Sequence, residues 1–412
     1  MFDDFEMDEY NGEADVAEIA IDDADIIHPP KLSSTLFSHE DIERQLLSLY
    51  NSDRMPHGLI FSGARGIGKC TFAYRLARFL LKHRDEGGGL FGDDAPKQAN
   101  SLEISREDNV FAQLASGANL DFKIIEPELK PNSQQKRDVI DVAQIRSLSK
   151  FLKMKASHEG GWRVAVIDDA DLMNRNAQNA LLKVLEEPPK KTVIILVCHR
   201  LGAMLPTIRS RTQVFKFAPL EESIITEMIE KQNSAISSDD LDIILSMANG
   251  SLGRALNLAE PQAYEILSDL KDTLSPWPKL NWPAIHLLSE RFASNKDDIT
   301  AYIFKEYMLW LFAECIKTKV NRSFVGENWL KAMTANYDLK QLMAMQDELK
   351  QHFIRVEQGN LDHVHFYLGA FFLLPSGGED MSAALALMSA SLPLQTGDAL
   401  WHALVTAPDS RV

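Results

Sequence analysis

An eight-residue segment near the start of the chain carries the residue types that bind phosphate. Residues 63–70 read GARGIGKC and fit the pattern G-x-x-x-x-G-K-[ST] at every position except the last. Glycines such as Gly63, Gly66 and Gly68 let backbone N–H groups converge on an anion, and Lys69 would reach the outer phosphates of a nucleotide. The segment therefore predicts a nucleotide-binding loop.

The last position of this loop departs from the pattern. Active loops carry a Ser or Thr hydroxyl there to hold Mg²⁺, whereas this chain carries Cys70. Mg²⁺ prefers hard oxygen ligands, and Thr71 comes one residue too late to take the same place without a local shift. We therefore expect ATP or ADP with a weak Mg²⁺ site. A chance match, or a degenerate loop that binds nucleotide poorly or not at all, are the alternatives.

A second stretch supplies acidic residues. The apolar run 162–167 ends in Asp168 and Asp169, where a Walker B carboxylate would orient Mg²⁺ beside the phosphate loop. Asp168 fills that place. Active ATPases of this kind carry Glu at the next position to polarise the attacking water, and Asp169 is one methylene shorter. The pattern therefore predicts a degenerate catalytic base, while Asp171 is typical of an ordinary acid at a solvated turn.

Strands alternating with helices must position these residues. Apolar runs predict strands over 58–62, 121–125, 162–167, 192–198 and 213–217. Helical periodicity is seen over 40–50, 71–81, 138–156 and 176–187, and residues 84–120 read as an irregular insertion. Nearly all-apolar strands between helices indicate an α/β core with a parallel sheet covered on both faces.

The chain turns wholly helical after Pro219. Helices are predicted over 223–232, 238–248 and 339–356, with a linker over 276–283. We expect four parts: an acidic disordered tail (1–30), an α/β core (31–217), a small helical domain (218–275) and an all-α domain (276–412).

Composition narrows the class of protein. The chain has 412 residues, a net charge of −16 and three widely spaced cysteines, and it contains no apolar run of membrane-spanning length. We expect a cytoplasmic protein with no membrane partner. Residues 1–30 hold 11 of the 59 acids and no Lys or Arg, which leaves 48 acids against 43 bases elsewhere. Such a tail promotes solubility or docks on a partner.

Four stretches together carry a resemblance to a known family. They are 57–63 (HGLIFSG), 163–168 (RVAVID), 176–189 (NAQNALLKVLEEPP) and 205–211 (LPTIRSR). Over about residues 35–260 the chain resembles the AAA+ superfamily and, more closely, the delta-prime subunits of the bacterial DNA polymerase III clamp loader. The resemblance implies an AAA+ core, a helical lid and a helical collar that joins a hetero-oligomeric ring.

The resemblance also implies roles for individual residues. Arg211, in the family's Ser-Arg-Cys position, would reach the ATP site of a neighbouring subunit, although Thr212 replaces the Cys. Arg254 matches the second sensor on the lid. Many relatives carry four zinc-binding cysteines after the loop helix, and their absence here predicts no zinc. Because Cys70 and Asp169 both weaken catalysis, the chain's own ATPase is expected to be weak or absent.

The implied function is that of a non-motor subunit. With motor and delta-type subunits it would load a sliding clamp on primed DNA, and polymerase (nucleotidyltransferase) chemistry would belong to other chains of the holoenzyme. Four basic side chains would either face DNA or be ordinary solvated residues: Lys150, Lys153, Lys155 and Lys183. One alternative is an autonomous AAA+ motor that uses Lys69, Asp168, Asp169 and Arg254 in cis. Another is a small-molecule P-loop kinase, but that alternative explains neither the turn that carries Arg211 nor the helical C-terminal third of the chain.

Overall fold

The computed structural model describes eight stretches of the chain. They are residues 29–83, 98–128, 139–157, 161–232, 236–295, 298–321, 328–359 and 363–374. Nearly all of the predicted acidic tail, residues 1–28, lies outside them. So do residues 84–97 of the predicted insertion and 375–412 at the end of the predicted collar.

Five strands form one parallel sheet. They are β1 (Gly58–Ser62), β2 (Phe122–Ile125), β3 (Arg163–Ile167), β4 (Thr192–Cys198) and β5 (Gln213–Lys216). The order across the sheet is β2-β3-β4-β1-β5, with Leu59 of β1 opposite Ile195 and Gln213. β1 therefore lies between β4 and β5, and β4 separates it from β3.

Fifteen α-helices accompany the sheet in the described residues. They are α1 (Glu40–Asn51), α2 (Lys69–Lys82), α3 (Asn109–Ser116), α4 (Val142–Lys153), α5 (Arg175–Glu186), α6 (Pro206–Arg209), α7 (Glu222–Gln232), α8 (Ser238–Ala248), α9 (Leu252–Ala259), α10 (Pro261–Leu274), α11 (Trp282–Ser294), α12 (Asp298–Asn321), α13 (Asn328–Asn336), α14 (Leu339–Gly359) and α15 (His363–Phe372).

Both faces of the sheet are buried, as the all-apolar strands predict. Leu59 and Phe61 contribute to one core with α1, α2 and α3, whereas Ile60 contributes to the opposite core with α4 and α5. The first core continues through the later helices as far as Leu374. The predicted α/β architecture is confirmed: in the described residues a parallel sheet has helices on both faces and is followed by helices alone.

Two local expectations are wrong. Residues 84–120 were expected to be irregular, but α3 forms within them because the Asp108 side chain accepts from the N–H of Val110 and the helix buries Phe111. The linker expected over 276–283 is a packed turn, since Trp277 is buried and α11 already begins at Trp282. The Pro residues that suggested a break sit in a tight turn and at a helix start.

No helix in the described part of the chain is long and apolar enough to cross a membrane.

Candidate phosphate-binding site

The candidate site lies at the carboxyl ends of three neighbouring strands. The phosphate loop follows β1, His199 follows β4, and Asp168 and Asp169 follow β3. Because carboxyl ends of parallel strands meet at one edge, residues far apart in the chain come together there. A cavity of about 440 Å³ opens at this edge. Its lining includes seven of the predicted residues: Gly66, Gly68, Lys69, Cys70, Thr71, Asp168 and Asp169.

The loop backbone adopts the conformation that its glycines predict. Gly66 and Gly68 have φ of 76° and 92°, in the left-handed region that favours glycine, and α2 begins directly after Gly68. Gly63 lies behind the cavity, where a Cβ would come 2.5 Å from the carbonyl oxygen of Phe217. Within the described residues the loop thus has the shape and volume that suit a nucleotide phosphate.

The Lys69 ammonium is held by the loop itself. It donates to the carbonyl oxygens of Gly63, at 2.9 Å, and of Ala64, and to Nδ1 of His199 at 2.9 Å. Only 2% of the residue is exposed. Burial lowers the pKa of Lys69 to about 8, although the charge of Asp168 opposes the shift. Lys69 is therefore in place at the loop, with its donors engaged by groups of the same chain.

Cys70 and Asp168 contact each other where Mg²⁺ would be held. A side-chain hydrogen bond joins the Cys70 thiol to the Asp168 carboxylate. Burial, then the charge of Asp168, raises the pKa of Cys70 well above its ordinary value, so the thiol stays protonated. Burial, then Asp169, raises the pKa of Asp168. A protonated thiol beside one carboxylate is a poor donor set for Mg²⁺, so these residues do not fit a firmly held metal ion.

Asp169 is tied down by two side chains. Its Oδ1 accepts from the Arg65 guanidinium at 2.5 Å and from Nε2 of His199 at 2.6 Å. Its backbone has φ of 51°, an uncommon value for a residue other than glycine. Both contacts engage the same oxygen of the carboxylate, and the predicted role of Asp169 as a degenerate base stays a prediction.

His199 is a site residue that sequence reasoning missed. Its imidazole ring bridges Lys69 and Asp169. Its backbone N–H donates to Oδ1 of Asp171 at 2.9 Å. Asp171 is therefore no ordinary solvated acid, since its side chain is only 4% exposed and it positions His199. One signal was available: His199 is the first polar residue after the all-apolar β4, which ends beside β1.

Residues 29–39, a turn followed by irregular chain, form one wall of the cavity. His39 is anchored to the loop, because its Nε2 donates to the carbonyl oxygen of Ile67 at 2.9 Å, and burial lowers its pKa. At the other end, Arg78 of α2 donates to the carbonyl oxygens of Ser33 and Lys31, both at 2.6 Å. The guanidinium of Arg78 also stacks 3.9 Å above the Phe111 ring. The insertion helix α3 thus supports the cavity wall through Arg78.

Arg254 lies beside the loop, but its guanidinium is engaged elsewhere. The N–H of Gly253 donates to the carbonyl oxygen of Gly66 at 2.9 Å, so the start of α9 contacts the loop backbone. Leu252 and Gly253 line the cavity. The Arg254 side chain forms an ion pair with Glu306 of α12. Its predicted role as a second sensor stays a prediction.

Arg211 lies at the opposite edge of the sheet. It follows α6 and precedes β5, and a Cβ on Gly58, at the amino end of β1, would come 3.4 Å from the Arg211 carbonyl oxygen. The guanidinium contacts the Thr207 carbonyl oxygen at 3.1 Å and the Glu186 carboxylate at 3.0 Å. Its side chain is 37% exposed.

The basic residues predicted to face DNA lie on two packed helices, α4 and α5, except Lys155, which follows the end of α4. α4 and α5 contact each other on one face of the sheet. Lys150, Lys153, Lys155 and Lys183 are all exposed there. Among the described residues, no group of three or more His, Cys, Asp or Glu is arranged to hold a metal ion.

Comparison with known proteins gives relatives that align over about half of the chain. The family model described as "DNA polymerase III, delta subunit" matches residues 38–221. Replication factor C subunit 5 of Homo sapiens is 26% identical over 235 residues, which cover 56% of this chain and 57% of the human protein. DNA polymerase III subunit delta' of Pseudomonas aeruginosa is 32% identical over 196 residues, covering 47% and 53% of the two chains.

The aligned part spans less than two thirds of either relative. Among solved structures, a DNA polymerase III gamma subunit-related protein of Thermotoga maritima aligns with a TM-score of 0.36 at 16% identity. That alignment covers 79% of this chain and 97% of the Thermotoga chain. Over about half of its length this chain is thus similar to the family described as "DNA polymerase III, delta subunit" and to replication factor C and delta' subunits.

Proposed function

We propose that this chain is a delta-prime-type clamp-loader subunit that supplies Arg211 to the ATP site of a neighbouring subunit. The observation that carries the proposal is the placement of Arg211 at the sheet edge opposite its own phosphate loop. A strand rises about 3.3 Å per residue, so the length of β1 puts roughly 15 Å between them. An arginine side chain does not span that distance, so its catalytic use requires a second molecule.

The state of the chain's own loop supports a non-motor role. Cys70 offers Asp168 a thiol in place of a Mg²⁺-binding hydroxyl, and Asp169 is held by Arg65 and His199. Loss of a general base typically costs about 10²–10⁴ in rate. The cavity retains the loop shape for ATP or ADP, which would be held by Gly66, Gly68 and Lys69 without efficient hydrolysis.

The proposed setting is a hetero-oligomeric ring in the cytoplasm. Motor and delta-type subunits would flank this chain, and the ring would open a sliding clamp and place it on primed DNA for a bacterial DNA polymerase III holoenzyme. The relatives of replication factor C and delta' type support this assignment. The exposed lysines of α4 and α5 would face the DNA backbone, and Arg211 would neutralise charge on the transferred γ-phosphate of the neighbour.

The test is ATPase activity of the purified chain, alone and mixed with a clamp-loader motor subunit, sliding clamp and primed DNA. We expect the chain alone to be inert and the mixture to lose most of its stimulated rate with Arg211→Ala. Arg209→Ala, two residues away on the same exposed segment, is the matched control and should leave the rate unchanged. Turnover by the chain alone that disappears with Lys69→Ala would instead identify an autonomous motor.

A further inference from the structure

Helix α12 brings a carboxylate to Arg254 of α9 and a phenol near Arg65 of the phosphate loop. Glu306 forms an ion pair with Arg254, and Tyr302 lies one turn earlier on the same helix face. Burial, followed by the charge of Glu306, raises the pKa of Tyr302, whereas Arg254 and Arg65 oppose the shift. These side chains of α12, α9 and the loop therefore lie within electrostatic range of one another.

The backbone of Arg254 is fixed against the loop. The hydrogen bond from Gly253 to Gly66 anchors the first turn of α9, and a Cβ on Gly66 would come 3.3 Å from the Arg254 nitrogen. A flexible side chain that starts at this point has both the cavity and Glu306 within reach. In the structure the Arg254 guanidinium points to Glu306 and pairs with it, while Gly253, the preceding residue, lines the cavity.

We propose that Glu306 sets the nucleotide affinity of the loop by occupying Arg254 in place of a phosphate. A carboxylate and a phosphate offer a guanidinium the same paired oxygen acceptors, so the two compete for one group. The polyphosphate of a nucleoside di- or triphosphate gains Arg254 only when the pair with Glu306 breaks. The inference rests on the part of the proposed function that assigns a phosphate site to the loop, and it is independent of Arg211.

The pair is placed to have a measurable effect. The side chains of Arg254 and Glu306 are 34% and 25% exposed, so water screens the interaction in part. Because the competing pair joins α9 to α12, nucleotide binding would also loosen the contact between the C-terminal helices and the core.

The test is titration with a fluorescent ADP and a fluorescent ATP. Glu306→Gln keeps the shape and removes the charge, and we expect both ligands to bind about three- to tenfold more tightly than to the wild-type chain. Glu306→Asp should give an intermediate affinity. Asp269→Asn is the matched control, because it breaks an ion pair with Arg291 between α10 and α11, where the Asp269 side chain is 30% exposed. This control should bind as the wild-type chain does.

A double-mutant cycle assigns the gain to Arg254. In an Arg254→Gln background, Glu306→Gln should have no effect on affinity. The proposal is overturned if Glu306→Gln binds no better than wild type, if neither binds at millimolar ligand, or if the gain persists without Arg254. In each of these cases, ATPase activity of the reconstituted mixture that depends on Arg211 would still support the proposed clamp-loader function. Melting curves of every variant identify any loss of fold.

Discussion

The phosphate cavity and the Arg211 turn treat their cationic groups in opposite ways. In the cavity, Lys69 is engaged by loop carbonyls and His199, and Arg65 is engaged by Asp169. At the turn, Arg211 is exposed and contacts the Glu186 carboxylate, the Thr207 carbonyl oxygen and the Ser210 hydroxyl. Lys69 is thus engaged inside a buried site, whereas the Arg211 guanidinium has surface partners that it can leave at a small cost in free energy.

Arg211→Lys separates charge from geometry at the turn, and we expect the largest effect of all. A lysine keeps the positive charge but loses the planar pair of donors, so the motor subunit's stimulated ATPase should fall by roughly 10²-fold. The melting temperature of the chain should not change, because the side chain is exposed. Arg209→Lys serves as the control. Full activity of Arg211→Lys would mean that the turn provides only general positive charge.

Arg78→Met tests whether the cavity wall depends on its buried guanidinium. Two hydrogen bonds to Ser33 and Lys31 would be lost, and the free energy of unfolding should fall by about 1–3 kcal/mol. Arg44→Met, which removes an exposed pair with Asp41, should cost less than about 0.5 kcal/mol. Urea denaturation measures both. Equal costs would show that residues 29–39 hold their place without Arg78.

Cys70→Thr restores a hydroxyl where Mg²⁺ would be bound. We expect roughly fivefold tighter nucleotide binding in the presence of Mg²⁺ and no change in EDTA, because only the metal-dependent contribution is repaired. Cys70→Ala is the control, since it removes the bond to Asp168 without adding a ligand. If Cys70→Ala gains as much as Cys70→Thr, the thiol restricts binding by its contact with Asp168 and the missing hydroxyl is irrelevant.

Lys69 predicts a pH dependence of stability. Its pKa falls from 10.5 in the unfolded chain to about 8 in the fold, so the unfolded chain binds more protons between these values. Stability attributable to Lys69 therefore rises as pH increases from about 8 towards 10.5, by roughly 2–3 kcal/mol. The difference in unfolding free energy between wild type and Lys69→Met, measured at pH 7.5 and 9.5, should move in favour of wild type. An unchanged difference would contradict the lowered pKa.

The core elements could be predicted from the sequence because their signals are local. The predicted strand over 192–198 and the predicted helix over 238–248 agree residue for residue with the structure. α3 was missed because its eight residues, capped by Asp108, are too few to show a clear helical period and follow a glycine-rich stretch. Trp277 was assigned to a linker because prolines flank it on both sides, although both prolines belong to a packed turn.

In the candidate site, the motif residues could be predicted from the sequence, but the partners of their side chains could not. Motif spacing identified Gly66, Lys69 and Asp168, which the sheet does bring together. What spacing does not encode is which neighbour satisfies each group. The roles of His199 and Glu306 depend on contacts between residues 130 and 52 positions apart. Only the fold shows that the loop's cations already have partners.

The contact between Gly66 and Gly253 has a mechanical consequence. A Cβ on Gly253 would come 3.2 Å from the Gly66 Cα, so two main chains touch there without any side chain between them. Side chains yield by changing rotamer, whereas a bare backbone contact closed by a 2.9 Å hydrogen bond has no such compliance. A displacement of the helices after β5 would therefore move the phosphate loop by nearly the same amount. This backbone contact is a rigid connection between the α/β core and the helices that follow it.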